Sequence, residues 1–227
     1  MRAVLGKLAQ ALVPALARSL LNARTLAYGY GQVRSIRALE PVDAAGAPIP
    51  WYTYPAIEFL KQFDMRANSV FEFGGGNSSR FWAARAARVT AVETDPAWYA
   101  ALTAERIPNL SVHLRREKAA YVSCVAEQNA KFDLIVIDGQ WRRSCANLAP
   151  MHLAEGGLIV LDNADWYPDS ARGLRAAGFY EIDFSGFGPV NAYTWTTSVF
   201  LRADARLQKE FASARPIGGL LQQGDDV

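Results

Sequence analysis

The sequence predicts a doubly wound α/β sheet whose strands are mostly parallel. From Trp51 onward, short apolar runs alternate with segments of helical periodicity, which is the pattern of βαβ units with right-handed crossovers. Some runs, such as Phe132–Ile137, are apolar at nearly every position, as strands are when both faces of a parallel sheet are covered. The composition, with 51% hydrophobic and 20% charged residues among 227, is that of an ordinary globular domain.

Seven strands are predicted in order along the chain. They are Ser69–Phe73, Val89–Glu93, Leu110–Leu114, Phe132–Ile137, Gly157–Leu161, Tyr180–Phe184 and Thr196–Leu201. Helices are predicted between the first six, at Asn77–Ala87, Pro96–Glu105, Ala119–Gln128, Arg142–Leu153 and Ser170–Ala177. No helix separates the last two strands, and their connection, Ser185–Trp195, contains Gly186, Gly188 and Pro189. A long hairpin is therefore expected, so that the last strand runs antiparallel.

The leading segment carries its own charge pattern. Residues 1–39 contain six basic residues and no acid, whereas the remaining residues carry 18 basic and 22 acidic side chains, a net charge of −4. Leucines at helical spacing, Leu5, Leu8, Leu12 and Leu16, predict an amphipathic helix over residues 4–21, which Pro14 would kink or restart. Residues 1–24 are expected to pack on the body of the protein, to form a homodimer contact, or to make a peripheral membrane contact. Export of the protein, with this segment as a signal peptide, is the third interpretation.

The chain is expected to have three parts. These are the leading helix with a linker rich in Pro, Ala and Gly (residues 1–50), a main domain (residues 51–203), and a C-terminal helix with a loose tail (residues 204–227). Two cysteines and two histidines argue against a disulfide scaffold and a Cys-rich zinc site. A net charge of +2 does not point to nucleic acid as a partner.

A glycine loop follows the first predicted strand. Gly74, Gly75 and Gly76 let the backbone turn sharply and approach a ligand closely. Glu93 ends the second strand 19 residues after Gly74, close to the spacing of about 20 at which an acid accepts hydrogen bonds from ribose. A dinucleotide fingerprint would need Gly or Ala at position 79, where the chain has Ser79. A carboxylate at Glu72 suits a sulfonium cofactor better than a pyrophosphate.

These residues resemble the class I S-adenosylmethionine-dependent methyltransferase family. Glu72-Phe-Gly-Gly-Gly-Asn looks like its first motif, Glu93 like its ribose-binding acid, and the runs ending at Asp138 and Asp162-Asn163 like its fourth and fifth strands. The resemblance covers residues 51–203 and implies a Rossmann-like sheet of order 3-2-1-4-5-7-6 in a cytoplasmic enzyme, possible membrane association aside. It implies S-adenosylmethionine as cofactor, bound by Glu72, Gly74, Gly75, Gly76, Asn77, Glu93 and Asp138.

Three oxygen-bearing side chains are expected to converge at the carboxyl ends of the strands. Asp138, Asp162 and Asn163 would hold Mg²⁺, as in the metal-dependent catechol and caffeoyl-CoA O-methyltransferases that they resemble. Those enzymes have a lysine shortly after the first aspartate, where this chain has Gly139-Gln140-Trp141-Arg142. In a second mechanism Asp138 is itself the catalytic base and no metal binds. In a third interpretation Asp138 contacts only cofactor or backbone, and Asp162-Asn163 cap a turn.

Aromatic residues beside the same loops predict the acceptor pocket. Tyr54, Trp141 and Trp166 are the expected substrate contacts. Arg142 and Arg143 would either meet a carboxylate or phosphate on the acceptor or form a solvated helix start, and the second interpretation is favoured. The leading hypothesis is methyl transfer from S-adenosylmethionine to a small molecule, at oxygen. The alternatives are a non-catalytic binding module with the same fold and a nicotinamide-dependent oxidoreductase.

Overall fold

A single seven-stranded sheet forms the centre of the molecule. The computed structural model describes residues 14–206 and 215–219. The strands are β1 (Ser69–Phe73), β2 (Arg88–Glu93), β3 (Leu110–Leu114), β4 (Phe132–Ile137), β5 (Leu153–Leu161), β6 (Tyr180–Gly186) and β7 (Trp195–Leu201). Their order is β3-β2-β1-β4-β5-β7-β6. Strands β1 to β5 pair in parallel, and β7 pairs antiparallel with both β5 and β6. The predicted fold class and strand order are confirmed.

Helices cover the sheet and lead into it. Residues 14–24 are helical (α1), and a π-helical turn follows at Thr25–Gly29. The other helices are α2 (Gln32–Ala38), α3 (Tyr54–Leu60), α4 (Asn77–Ala83), α5 (Pro96–Ala104), α6 (Lys118–Glu127), α7 (Arg142–His152) and α8 (Pro168–Ala176). Helices α4 to α8 were all predicted, whereas α2 and α3 were not. Asp95 caps α5 by accepting hydrogen bonds from the backbone N–H groups of Ala97 and Trp98, at 2.7 and 3.1 Å.

Strand β5 is longer than predicted. It begins at Leu153 rather than Gly157, because an irregular stretch pairs Leu153 with Phe132 before the register shifts. Gly156, with φ of 77°, supplies the left-handed conformation within this stretch. The predicted final helix at residues 204–215 falls largely on residues 207–214, outside the described residues. Residues 4–13 of the predicted leading helix lie outside them as well.

Each face of the sheet packs against its own buried cluster. In β1, Phe71 and Phe73 point to one cluster, while Val70 belongs to the other. Burying one such side chain completely contributes roughly 1.5–3 kcal/mol. The alternation places Glu72 on the same face as Val70, so that its carboxyl group enters a buried layer under the helices rather than the open end of the strand.

Residues 32–51 are held by hydrogen bonds among themselves and to the domain. Ser35 Oγ donates to the Val42 carbonyl at 2.7 Å and accepts from the Val42 N–H at 3.0 Å. Gln32 Nε2 donates to the carbonyl of Gly188, at 3.0 Å, in the connection between β6 and β7. The stretch predicted as a linker, residues 40–50, is therefore part of the wall that surrounds the strand ends.

Candidate active site

The crevice between β1 and β4 is where the sheet order reverses, and two glycines meet there. Gly74 follows β1 with φ of 100°, and its N–H donates to the carbonyl of Val92 at 2.9 Å. Gly139 follows Asp138 after β4. A Cβ built on Gly74 would lie 2.8 Å from Cα and N of Gly139. The two loops therefore cross in backbone contact, and a side chain on Gly74 would separate them. Open α/β sheets bind ligands at such a switch point.

Glu93 holds the glycine loop in its conformation. Its Oε2 accepts a hydrogen bond from the Gly75 N–H at 2.8 Å. Its Oε1 accepts from the N–H groups of Thr94 and Asp95, at 2.7 and 2.8 Å. The carboxylate is nearly buried, yet it borders the cavity described next. An acid in this position presents a negative charge and spare lone pairs to that cavity.

A cavity of about 360 Å³ opens over the crevice. Its volume lies within the range of small-molecule and cofactor sites, roughly 300–1,000 Å³. It is lined by the three glycines of the loop and by Pro41, Trp51, Asn77, Ser78, Glu93, Thr94, Trp98, Tyr121, Asp138, Gly139, Gln140, Arg142 and Tyr167. Six of the seven residues predicted to bind the cofactor are among them. Trp98 and Tyr121 were not predicted, because the helical pattern of α5 and α6 does not show which face meets the strand ends. Tyr167, in the loop before α8, was not predicted as a cofactor contact either.

Glu72 is the predicted cofactor residue that does not line this cavity. Its side chain is fully buried, and its Oε2 accepts a hydrogen bond from Ser79 Oγ at 2.5 Å. Burial raises the pKa of Glu72 from 4.5 to about 7, with hydrogen bonds from Ser79 and Ser78 opposing the shift. The structure therefore does not bring Glu72 to this cavity, and a direct contact with the cofactor stays a prediction.

Glu72 should make the folded state less stable as the pH rises. The folded chain keeps this proton at pH values where the unfolded chain has lost it, so the associated stability is full below pH 4.5 and is lost as the pH reaches about 7. The free energy of unfolding of Glu72→Gln, taken relative to that of the wild type, should rise by about 3 kcal/mol from pH 4.5 to pH 8, because glutamine does not titrate. Urea unfolding of both proteins at the two pH values measures this change. Parallel pH curves would contradict it.

Asn77 joins the glycine loop to the segment that precedes the domain. Its Nδ2 donates to the carbonyl of Pro41 at 2.8 Å, and its Oδ1 accepts from Arg80. Because Pro41 also lines the cavity, this bond sets the position of one cavity wall relative to the loop. The side chain of Asn77 thus shapes the cavity, although it was predicted to contact the cofactor.

Arg142 occupies the place predicted for a metal ion. Its guanidinium donates to Asp138 Oδ1 at 3.0 Å and to Asn163 Oδ1 at 2.9 Å. It also donates to the backbone carbonyls of Asp138, Gly139 and Asp162, so that all five N–H groups are used. The ring of Tyr167 lies 4.6 Å from the guanidinium carbon. Arg142 is only 9% exposed, and the prediction of a solvated helix start is therefore wrong for it and applies only to Arg143, whose side chain is 72% exposed.

Asp162 also differs from the predicted metal ligand. Its Oδ1 accepts hydrogen bonds from Thr197 Oγ1 at 2.6 Å and from Trp195 Nε1 at 3.0 Å. With Arg142 already bound to Asp138 and Asn163, the three residues do not fit Mg²⁺, since a fixed guanidinium would repel the ion. Among residues 14–206 and 215–219, no group of three or more His, Cys, Asp or Glu side chains could hold a metal ion.

A second cavity, of about 320 Å³, adjoins the first. Its lining residues are Trp51, Asp138, Asp162, Asn163, Trp166, Asn191, Tyr193 and Trp195. Trp51 and Asp138 border both cavities. Tyr193 lies between Trp166 and Trp195, with both ring distances at 6.0 Å. Trp166 thus lines a cavity at the strand ends together with three other aromatic residues: Trp51, Tyr193 in the loop before β7, and Trp195 at the start of β7.

Tyr54 and Trp141 do not line either of these cavities. The Tyr54 ring packs on Tyr30 at 4.5 Å and borders a separate cavity. Trp141, with φ of 50°, precedes α7 and packs edge-on against Tyr121 at 5.2 Å. The structure therefore does not bring these two residues to either cavity, and their predicted substrate contacts stay predictions. Trp51, three residues before Tyr54, takes the expected position, because the chain turns into α3 at Tyr54 and carries that ring away from the strand ends.

Two solved structures have a similar fold. Fibrillarin, a pre-rRNA processing protein of Methanococcus jannaschii, superposes with a TM-score of 0.52 at 16% identity, over 69% of this chain and 78% of that one. An rRNA methylase from Streptococcus thermophilus superposes with a TM-score of 0.50 at 13% identity, over 65% of this chain and 96% of that one. No family model and no curated protein sequence matches the chain. The chain has the fold of the class I S-adenosylmethionine-dependent methyltransferases.

Proposed function

We propose that this protein is an S-adenosylmethionine-dependent methyltransferase that acts on a small-molecule acceptor, at oxygen. The observation that carries the proposal is the pair of adjoining cavities at the sheet switch point. One is bordered by the glycine loop and Glu93, the other by four aromatic rings, and Asp138 lies between them. A group-transfer enzyme needs this arrangement, because donor and acceptor must meet in line at one point.

The first cavity suits the chemistry of the cofactor. S-adenosylmethionine, when bound, supplies a methyl group on a positively charged sulfur. Glu93 would accept hydrogen bonds from the ribose hydroxyls, and the glycine loop would allow close backbone approach. The indole of Trp98 offers an apolar face for the adenine ring. Asp138 would place a negative charge near the positive sulfur.

Asp138 is the residue proposed to take the proton from the acceptor hydroxyl. Burial raises the pKa of Asp138; the charge of Arg142 opposes this shift, and Glu72 adds to it. A raised pKa makes the carboxylate a stronger base while Arg142 keeps it oriented toward both cavities. The pKa of Asp162 is raised by burial and by the charge of Asp138, so Asp162 tends to stay protonated beside an ionised Asp138.

Binding of S-adenosylmethionine and of its demethylated product is the first test. We expect both ligands to give saturable heat in calorimetry, and we expect Glu93→Ala to weaken both by roughly 1.5–3 kcal/mol, about tenfold or more, through the loss of charge-assisted hydrogen bonds. Glu155→Ala is the matched control, because this carboxylate is 75% exposed and lies at the other end of β5. Unchanged affinity of Glu93→Ala would show that the assigned ribose contact is wrong.

The same titration separates the alternatives. Binding of NADH in place of S-adenosylmethionine would favour the oxidoreductase. Binding of S-adenosylmethionine without release of the demethylated product, across hydroxyl compounds of a size that fits the second cavity, would favour the non-catalytic module. Absence of binding at high micromolar ligand would exclude the proposed activity.

A further inference from the structure

The leading segment presents an apolar surface that the proposed methyl transfer does not use. Every residue from 14 to 24 is exposed, so α1 does not bury its leucines against the described part of the chain. Large apolar side chains exposed between residues 14 and 39 are Leu16, Leu20, Leu21, Tyr28, Ile36 and Leu39. The three leucines of α1 are each about 60% exposed. A patch of this kind marks an interaction site rather than scattered surface residues.

All charged side chains of residues 14–39 are basic. Arg18, Arg24, Arg34 and Arg37 lie between residues 14 and 39, and this stretch contains no acid. No acid within the described ranges, 14–206 and 215–219, forms an ion pair with these arginines. Arg34 and Arg37 line an open cavity of about 550 Å³ together with Tyr28. The surface therefore combines exposed leucines with uncompensated positive charge.

We infer that residues 14–39 bind the surface of an anionic lipid bilayer. Leucines and Tyr28 enter the boundary between headgroups and acyl chains, and the arginines meet the lipid phosphates. None of the helices in the described residues is long and apolar enough to cross a membrane. The rest of the chain, residues 40–227, carries a net charge of −4 and is not attracted to such a surface.

Charge also decides between a membrane and a second copy of the chain. In a two-fold symmetric dimer the same surface is present on both subunits. Pairing these surfaces would bring arginines toward arginines, with no acid of residues 14–39 to compensate them, and like charges brought together at an interface are unfavourable. The phosphates of anionic lipid neutralise the positive charge of the same arginines.

Co-sedimentation of the full-length chain with vesicles tests the inference. We expect binding to vesicles of equal parts phosphatidylcholine and phosphatidylglycerol, weak binding to phosphatidylcholine alone, and a decrease with added salt. Arg18→Gln/Arg24→Gln should lower the partition coefficient about fivefold for each arginine. Leu16→Ser/Leu20→Ser/Leu21→Ser should lose binding with an unchanged melting temperature, since these side chains are exposed.

The control variant is Arg143→Gln/Arg172→Gln, which removes the same charge from side chains that are 72% and 69% exposed on α7 and α8. Its vesicle binding should equal that of the wild type. If the two double arginine variants lost vesicle binding equally, the inference would be overturned, because net charge alone would then explain binding. Absence of binding to anionic vesicles would overturn it too, as would a dimer in light scattering that the leucine variant dissociates.

Discussion

Gly139→Ala is expected to lower the free energy of unfolding by about 1–3 kcal/mol and to weaken S-adenosylmethionine binding by about tenfold or more. The added Cβ would overlap Oη of Tyr121 and would lie 2.9 Å from Cα and N of Gly74. Because two of these atoms belong to backbone, the loop after β1 must move away from the loop after β4. Both loops line the first cavity, of about 360 Å³, which is proposed to bind the cofactor, so the movement changes the shape of that cavity. Urea unfolding and calorimetry measure the two effects.

Gly76→Ala is the matched control for the free energy of unfolding. Its φ of 175° is ordinary extended backbone, and no atom lies within 4 Å of a Cβ built there. We expect its unfolding free energy to stay within about 0.5 kcal/mol of the wild type. Gly139→Ala combined with Tyr121→Phe should recover part of the loss, because the overlapping hydroxyl is removed. If Gly139→Ala proves as stable as Gly76→Ala, the two loops are not in the contact described above.

The second large effect is expected for Arg142→Met, which should cost about 3–5 kcal/mol of unfolding free energy. The guanidinium donates hydrogen bonds to three backbone carbonyls and to the side chains of Asp138 and Asn163. Methionine fills a similar volume but donates no hydrogen bond, so these buried and half-buried oxygens lose their donors. The pKa of Asp138 should also rise further, because the opposing charge is gone.

Arg143→Met provides a sharp comparison one residue away. Arg143 is 72% exposed, and its guanidinium lies 3.5 Å from Asp169. An exposed ion pair of this kind contributes at most about 1 kcal/mol. Denaturant unfolding of the two variants should therefore differ by several kcal/mol. Similar values would mean that the hydrogen bonds of Arg142 contribute little, and that the region of Asp138 and Asn163 does not depend on it.

The strands could be predicted because burial on both faces leaves a clear trace in the sequence. β1 and β4 begin and end at the predicted residues, since an apolar run ends where the chain leaves the sheet. The edge strand β3 also has its predicted bounds, but it is only half-buried, and its trace in the sequence is an alternation of apolar and polar residues. Helices α2 and α3 were missed because each has only seven residues and neither stands between two predicted strands, as the equally short α4 does. Their positions depend on contacts with distant loops, such as the bond from Gln32 to Gly188.

Site residues divide according to where their side chains point. Glu93 is the last residue of its strand and reaches the cavity, whereas Glu72 is one residue short of the end and faces a buried layer. Arg142 and Arg143 are indistinguishable as sequence letters, yet one is buried and the other exposed. Sequence spacing places loops at the sheet edge, but it does not show which of two neighbouring side chains turns inward.

The bond between Asn77 and Pro41 means that the binding unit is larger than the sheet that defines the fold. Pro41 and Trp51 both line the cofactor cavity, and both precede the first strand by many residues. A shortened chain that started at Tyr52 would keep every strand, yet it would lack two walls of the cavity and the acceptor of the Asn77 hydrogen bond. Such a fragment could fold as the sheet does and still bind its ligand poorly, so the boundary of the functional unit lies upstream of Pro41.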